Sequence, residues 1–342
     1  MSRRFVIALL TCLLAATGST GVRAEETGPT KDVPELQVLQ HYAGTWDVVL
    51  DNAASKGEVT TNWILGGRFL EQSGAMHSPG NPDLWITTLF TFDTDAKKYR
   101  VWKFASNGST GQAEMTWDAK SKLMTSVSQP DRNGIRATNT ADFSTTGKER
   151  WKFLYTDRDG KQVGEMAGEN TLRKDGPSKP TTRTAAKEPE RSAELKQLDR
   201  FLGTWKTEYR LPKAEWTPEE KSGSATMVFS RELGGQMVRE RTEHADGTEN
   251  TFLMLFDSDR KQYRAWWFSS TWQFNNSTGK WDEAAKAFTW KLTDSNGLTS
   301  TAQHRFVGEK LDWTVLVENP QKVAMFRMEG TSQRVKGSAG TR

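Results

Sequence analysis

Apolar and polar side chains alternate along most of this chain. "YRVWKF" (99–104) and "YRAWWF" (263–268) each sort two classes of side chain onto two faces. A strand does this because successive Cβ atoms point to opposite sides. Asp93/Asp95 and Asp257/Asp259 stand between aromatic runs and lead into Lys97 and Lys261, which predicts hairpin turns. "TDRDGKQ" (156–162) and "NGL" (296–298) are further turn signals. Two short stretches break the alternation. Leu36, Leu39 and Tyr42, and again Leu195, Leu198 and Phe201, fall at helical spacing. Each predicts a short helix feeding a first strand. Many strands, few helices and even turn spacing predict an all-β fold, either a sandwich or an up-and-down barrel.

The pattern occurs twice. "PELQVLQHYAGTW" (34–46) lines up with "AELKQLDRFLGTW" (193–205), and "ILGGRFLE" (64–71) with "ELGGQMVR" (232–239). "LFTFDTDAKKYRVWKF" (89–104) lines up with "LMLFDSDRKQYRAWWF" (253–268), and Trp151 with Trp313. A repeat this long is a duplicated domain rather than a solenoid unit. Residues 34–174 and 193–336 are the expected domains. Residues 175–192, rich in Pro, Thr, Lys and Glu with no apolar period, are the expected flexible linker. One insertion, "LPKAEWTPEE" (211–220), lengthens the second copy.

A short helix followed by Gly-x-Trp resembles the opening of the lipocalin-like (calycin) barrels. The resemblance implies two tandem lipocalin-like antiparallel β-barrels, each preceded by a short helix. It further implies that Gly44/Trp46 and Gly203/Trp205 plug one end of each barrel. A basic residue near the end of each copy, Arg173 or Arg334, is then expected across the Trp. More closely, each copy resembles DUF family 1579, secreted lipocalin-like domains of unknown function, through Gly-Thr-Trp, "LGGRFLE", the Asp turn followed by Tyr and Trp, and a later Trp-Asp. The second copy has Gln236-Met237 where the first has Arg68-Phe69, and so departs further. The family implies a fold and no activity.

Residues 1–24 read as a signal peptide: Arg3 and Arg4, an apolar stretch over 5–16 too short to span a bilayer, then Val22-Arg23-Ala24. A lipid anchor on Cys12 is the rival reading, weakened by Thr11, which is larger than the small residue expected there. Export predicts a secreted or periplasmic protein. Removing the segment takes away Arg3, Arg4 and Arg23 and no acid, so the formal charge falls from +4 to +1. The basic balance is therefore no argument for nucleic acid or an anionic membrane. The single cysteine leaves with the signal, so no disulfide, thiolate ligand or cysteine nucleophile is expected in the mature chain.

Candidate chemistry is sparse. His41, His77, His244 and His304 have no metal-ligand spacing, and no metal or cofactor is expected. Nitrobindins, related barrels, hold haem through one His, so a single lumen His leaves that alternative open. The Asp turns lack the closing Glu of a calcium loop. No nucleophile elbow, Walker loop or His-Glu-x-x-His occurs, and no acid–base pair can be assembled. The best lead is aromatic. Arg100, Trp102 and Phe104 share one parity, as do Arg264, Trp266, Phe268, Trp272 and Phe274. If that face is the lumen, each barrel has an aromatic wall with one guanidinium. Trp267, of opposite parity, is then expected outside. Trp216, between Pro212 and Pro218, is a candidate lid over the second lumen. The expected function is non-catalytic binding of a small apolar or aromatic ligand, anionic where Arg100 or Arg264 pairs with it. The alternatives are a structural or protein-interaction module with filled barrels, and a hydrolase or isomerase if a perturbed acid, base or His lines a cavity.

Overall fold

The structure is a computed structural model that describes residues 28–51, 55–131, 133–174, 191–258, 260–271 and 273–337. The expected signal peptide and nearly all of the expected linker lie outside the described residues. The described chain is almost entirely strand. The first barrel holds β1 (Gly44–Leu50), β2 (Lys56–Ile64), β3 (Phe69–His77), β4 (Leu84–Asp93) and β5 (Lys98–Ala105). It continues with β6 (Thr110–Asp118), β7 (Leu123–Ser128), β8 (Arg136–Asp142), β9 (Lys148–Thr156) and β10 (Gln162–Leu172). Each strand pairs antiparallel with the next, and β10 returns to β1, so the sheet closes.

The second barrel repeats this plan. Its strands are β11 (Gly203–Leu211), β12 (Lys221–Glu232), β13 (Met237–His244), β14 (Glu249–Asp257) and β15 (Gln262–Ser269). Then come β16 (Phe274–Asp282), β17 (Ala287–Thr293), β18 (Thr299–Val307), β19 (Lys310–Glu318) and β20 (Ala324–Arg334), with β20 closing on β11. Closure removes the exposed edges that an open sheet would present.

The hairpins follow from turn chemistry. The Asp93 carboxylate accepts the backbone N–H groups of Asp95 (3.2 Å) and Ala96 (2.9 Å), and Lys97 then takes φ 53°. Asp118 with Lys122, and Asp282 with Lys286, repeat the device. An Asp that captures its own following amides leaves one residue in the left-handed region to rejoin the ladder.

Each barrel is closed at one end by the segment before its first strand. A 3-10 helix (Pro34–Tyr42) buries Leu36, Leu39 and Tyr42. In the second copy a helix (Ala193–Gln197) and a 3-10 turn (Leu198–Phe201) bury Leu195, Leu198 and Phe201. Tyr99 on β5 donates to the Glu35 carbonyl (2.9 Å), and Tyr263 on β15 donates to the Glu194 carbonyl (3.0 Å). Both helices are thus tied to the same strand position. Gly44 and Gly203 take φ of 109° and 111°, open only to Gly at low cost. The indole N–H groups of Trp46 and Trp205 donate to the carbonyls of Tyr42 (2.9 Å) and Phe201 (2.6 Å).

Two details depart from the sequence expectation. Arg191 and Ser192, assigned to the linker, belong to the second barrel's entry. The Arg191 guanidinium, nearly buried, bonds to Asp199 and to the Gly235 carbonyl (2.7 Å), and Ser192 caps the helix. Arg173 and Arg334 are not equivalent. The Arg173 amide donates to the Thr45 carbonyl, whereas the matching Thr204 carbonyl accepts from Val335. The true counterpart of Arg334 is therefore Leu172. A one-residue offset moves a side chain to the other face. Arg334 lies 4.3 Å from the Trp205 ring centroid, as expected. Arg173 instead binds the carboxylates of Asp47 and Glu58. The second copy has Lys206 and Thr226 at those two places.

Candidate functional site

Each barrel encloses a cavity, and the walls are not those expected. On β5 the lumen side is Val101 and Lys103, and on β15 it is Trp267. Arg100, Trp102 and Phe104 therefore face outward, as do Arg264, Trp266 and Phe268. Phe274 is cross-strand from Phe268 and shares its outward face. Trp272 lies outside the described residues. The parity argument failed because the outward face of these strands is itself buried: Trp102 and Trp266 are 2% and 3% exposed. Neither guanidinium reaches a lumen. Arg100 pairs with Asp93 (3.2 Å) and Glu114 (2.6 Å), and Arg264 stacks on Trp266 at 4.7 Å.

The first cavity is about 600 Å³. Its walls are mostly apolar and include Met76, Met115, Met124 and Met166, side chains that adapt to varied shapes. Four ionisable groups line it: Lys103, Glu149, Tyr42 and Tyr155. Lys103 lines the cavity and is exposed, and desolvation by the surrounding protein lowers its pKa from the ordinary lysine value. Its ammonium lies 5.7 Å from the Phe153 ring centroid, and no ion pair with a carboxylate occurs among the described residues. Glu149, on β9 beside Tyr42, is buried, and desolvation pushes its carboxyl up to about 7. A hydrogen bond from Asn170 (2.6 Å) opposes that rise, and Asn170 in turn accepts from the Trp151 indole (2.9 Å). Burial also raises Tyr42 well above the usual phenol.

The second cavity is smaller, about 230 Å³. Strand registers show why. Ser126 on β7 pairs with Asn139, and its counterpart Trp290 on β17 pairs with Ala302. Met124 pairs with Ala141, whereas Phe288 pairs with His304. Lys103 becomes Trp267, so three larger groups project inward. The polar groups also differ. Glu240 on β13 is pushed up to about 7 by desolvation, against a hydrogen bond from Thr242. Burial lowers His304 to about 4, so it is neutral at ordinary pH. Burial lowers His244 as well, and it meets the Tyr209 hydroxyl at 3.3 Å.

The remaining histidines are used locally. His41 stacks with Trp117 (5.1 Å) and Phe143 (5.4 Å), and His77 pairs with Asp83. No cluster of three metal-ligating side chains occurs among the described residues. Trp216 is half-buried. Its backbone N–H donates to the Met325 carbonyl (2.9 Å), and its side chain packs on a cluster containing Leu211 and Phe326, which also line the second cavity.

Sequence reasoning missed Lys103, Glu149 and Glu240. The repeat held a usable signal. Lys103 aligns with Trp267, and Gln72 with Glu240, so lumen chemistry changes at equivalent places while the fold does not.

The fold and cavities define a pair of closed ten-strand up-and-down β-barrels, each with an internal chamber. No family model and no curated protein matches the chain, and the resemblance to DUF family 1579 stays a resemblance. Among solved structures, it is similar to a DUF3598-family protein of unknown function from Nostoc punctiforme. That match has 10% identity over 87% of this chain and 98% of the other, with a TM-score of 0.28. A kievitone hydratase from Nectria haematococca matches at 10% identity over 94% and 96%, with a TM-score of 0.16. Likeness this low carries no argument about function. No helix among the described residues is long and apolar enough to cross a membrane.

Proposed function

We propose that this chain is an exported binding protein whose first barrel holds a small apolar or aromatic anion, with Lys103 as the counter-charge. The observation that carries this reading is a lysine projecting into an apolar chamber with no carboxylate partner among the described residues. An ammonium in apolar surroundings without a counterion is costly, and an anionic occupant would offset that cost. The methionine-rich wall would accept the apolar body, as in most small-molecule sites. Export rests on the Arg3-Arg4 start and the apolar stretch that follows.

The test is titration calorimetry of the mature chain with 2-naphthoate and with naphthalene, the same ring without the charge. A charge-assisted contact is worth about 1.5–3 kcal/mol, or roughly 10–100-fold in affinity. Lys103→Met should weaken 2-naphthoate by that factor and leave naphthalene unchanged. Equal loss for both probes, or no loss, overturns the role of Lys103.

A further inference from the structure

We infer that the second lumen is a separate site for a small, uncharged aromatic molecule bearing hydroxyl or carbonyl oxygens, held between Glu240 and the opposite wall formed by Trp290 and His304. Strands β13 and β18 lie five places apart in a ten-strand closed barrel, so Glu240 and His304 stand on opposite sides of the chamber. Trp290 on β17 pairs with Ala302 and is thus diagonal to His304 on the same wall.

Three residues that line this lumen each carry a buried polar atom with no hydrogen-bond partner among the described residues. These atoms are the Trp290 indole N–H, the Gln273 side-chain NH₂ and His304 Nδ1. Trp290 is 1% exposed. Two of the three can only donate, so they call for acceptor oxygens. Buried donors normally find partners, and an occupant with acceptors supplies them. Trp267, Phe252 and Trp313 line the same chamber and offer rings for a flat body to pack on.

The charge of the occupant follows from the ionisable groups facing it. Those lining the cavity are Glu240, His244, His304 and Tyr209, and no Lys or Arg is among them. His304 stays neutral and burial lowers His244 as well, so the described lining offers no fixed cation with which to hold an anion. An organic cation would satisfy Glu240 but would leave the indole and amide donors unpaired. An uncharged oxygen-bearing ring satisfies both walls. This differs from the first lumen, where a lysine and the Asn139 Oδ1 acceptor are unpaired among the described residues.

The experiment uses the mature chain carrying Lys103→Met, which removes the first site's charge contact, and follows intrinsic fluorescence and calorimetry at pH 6. The probes are 2-naphthol, naphthalene, 2-naphthoate and 2-naphthylmethylamine. We expect 2-naphthol to bind at least tenfold tighter than the other three. Trp290→Phe keeps the ring and deletes the N–H, and should reduce that preference about tenfold with naphthalene unchanged. If that variant misfolds by near-UV circular dichroism, Gln273→Leu serves as the second donor deletion. Equal affinity for naphthol and naphthalene, a preference for the anion or the amine, or no binding at all overturns the inference. The same data in chain with Lys103 intact separate the two sites. Loss of naphthoate binding on Lys103→Met with naphthol unaffected supports two chambers of different chemistry, and a joint loss argues against them.

Discussion

Lys103 in the first barrel and Trp267 in the second occupy one place on one strand of a shared topology. So do Gln72 and Glu240, Ser126 and Trp290, Ala141 and His304, and Glu149 and Leu311. The first chamber is wide and carries Lys103 with Glu149; the second is narrow and aromatic and carries Glu240 with two histidines. Strand pairing in a closed sheet depends on backbone hydrogen bonds and on the plug, so inward side chains can change without altering the barrel. The difference teaches that duplication kept the frame and diverged the contents. The helix, Gly-Thr-Trp and the Tyr that ties the helix are common to both copies. The polar groups of the lumens are not.

The largest expected effect tests the shared frame. Trp205→Ala should destabilise the second barrel by roughly 3–5 kcal/mol, because Trp205 is a fully buried aromatic. Trp46→Ala should cost a similar amount in the first. Chemical denaturation followed by fluorescence measures both, and a small loss in either would break the claim that the plug is common.

Next comes a proton. Glu149 has an ordinary value of 4.5 and is raised to about 7 in the fold. The folded chain binds this proton more tightly than the unfolded chain. The stability it contributes is full below about 4.5 and is lost as pH rises through about 7. The loss is a few kcal/mol at most, at about 1.4 kcal/mol per pH unit. Glu149→Gln should therefore be less pH-sensitive than the parent between pH 4.5 and 7.5 in thermal melts. Parallel melting curves across that range would contradict the burial of this carboxyl.

Lys103→Trp installs in the first lumen the residue the second already has. It should shrink the chamber and weaken 2-naphthoate by roughly 10–100-fold, the worth of a charge-assisted contact. Unchanged calorimetric affinity would show that the two lumens do not differ through this position.

A smaller effect separates the two arginines. In double-mutant cycles, Arg334→Ala and Trp205→Ala should couple by about 0.5–2 kcal/mol, as a guanidinium on an indole does. Arg173→Ala and Trp46→Ala should add, since Arg173 bonds to Asp47 and Glu58. Coupling in both pairs would restore the equivalence that the strand registers deny.

The smallest effect concerns the proposed lid. Trp216→Phe should raise the 2-naphthol dissociation rate a few-fold, because the indole packs on Leu211 and Phe326 at the lumen wall. Equal stopped-flow rates would leave Trp216 as packing alone.

Alternation, turn residues and a helix before each Gly-Thr-Trp were enough to read the all-β class and the duplication. These are local signals: Asp93 bonds its own following amides, and Leu36, Leu39 and Tyr42 share a face by spacing alone. The resemblance added barrel closure and the plug, and Trp205 with Arg334 follows it. Which side of a strand faces the lumen was a different matter. Period-two patterning assigns a side only when one face is polar, and on β4, β5, β14 and β15 buried residues occur on both faces, as with Leu89 beside Phe90 and Phe104 beside Ala105. The offset of Arg173 was equally hidden, because a shift of one residue leaves composition unchanged and reverses direction. Chain order settled the strands, turns and repeat, since these depend on neighbours along the backbone. Lys103, Glu149 and Glu240 became lumen groups only when ten strands closed and set an inside, a property of the ring and not of any one strand.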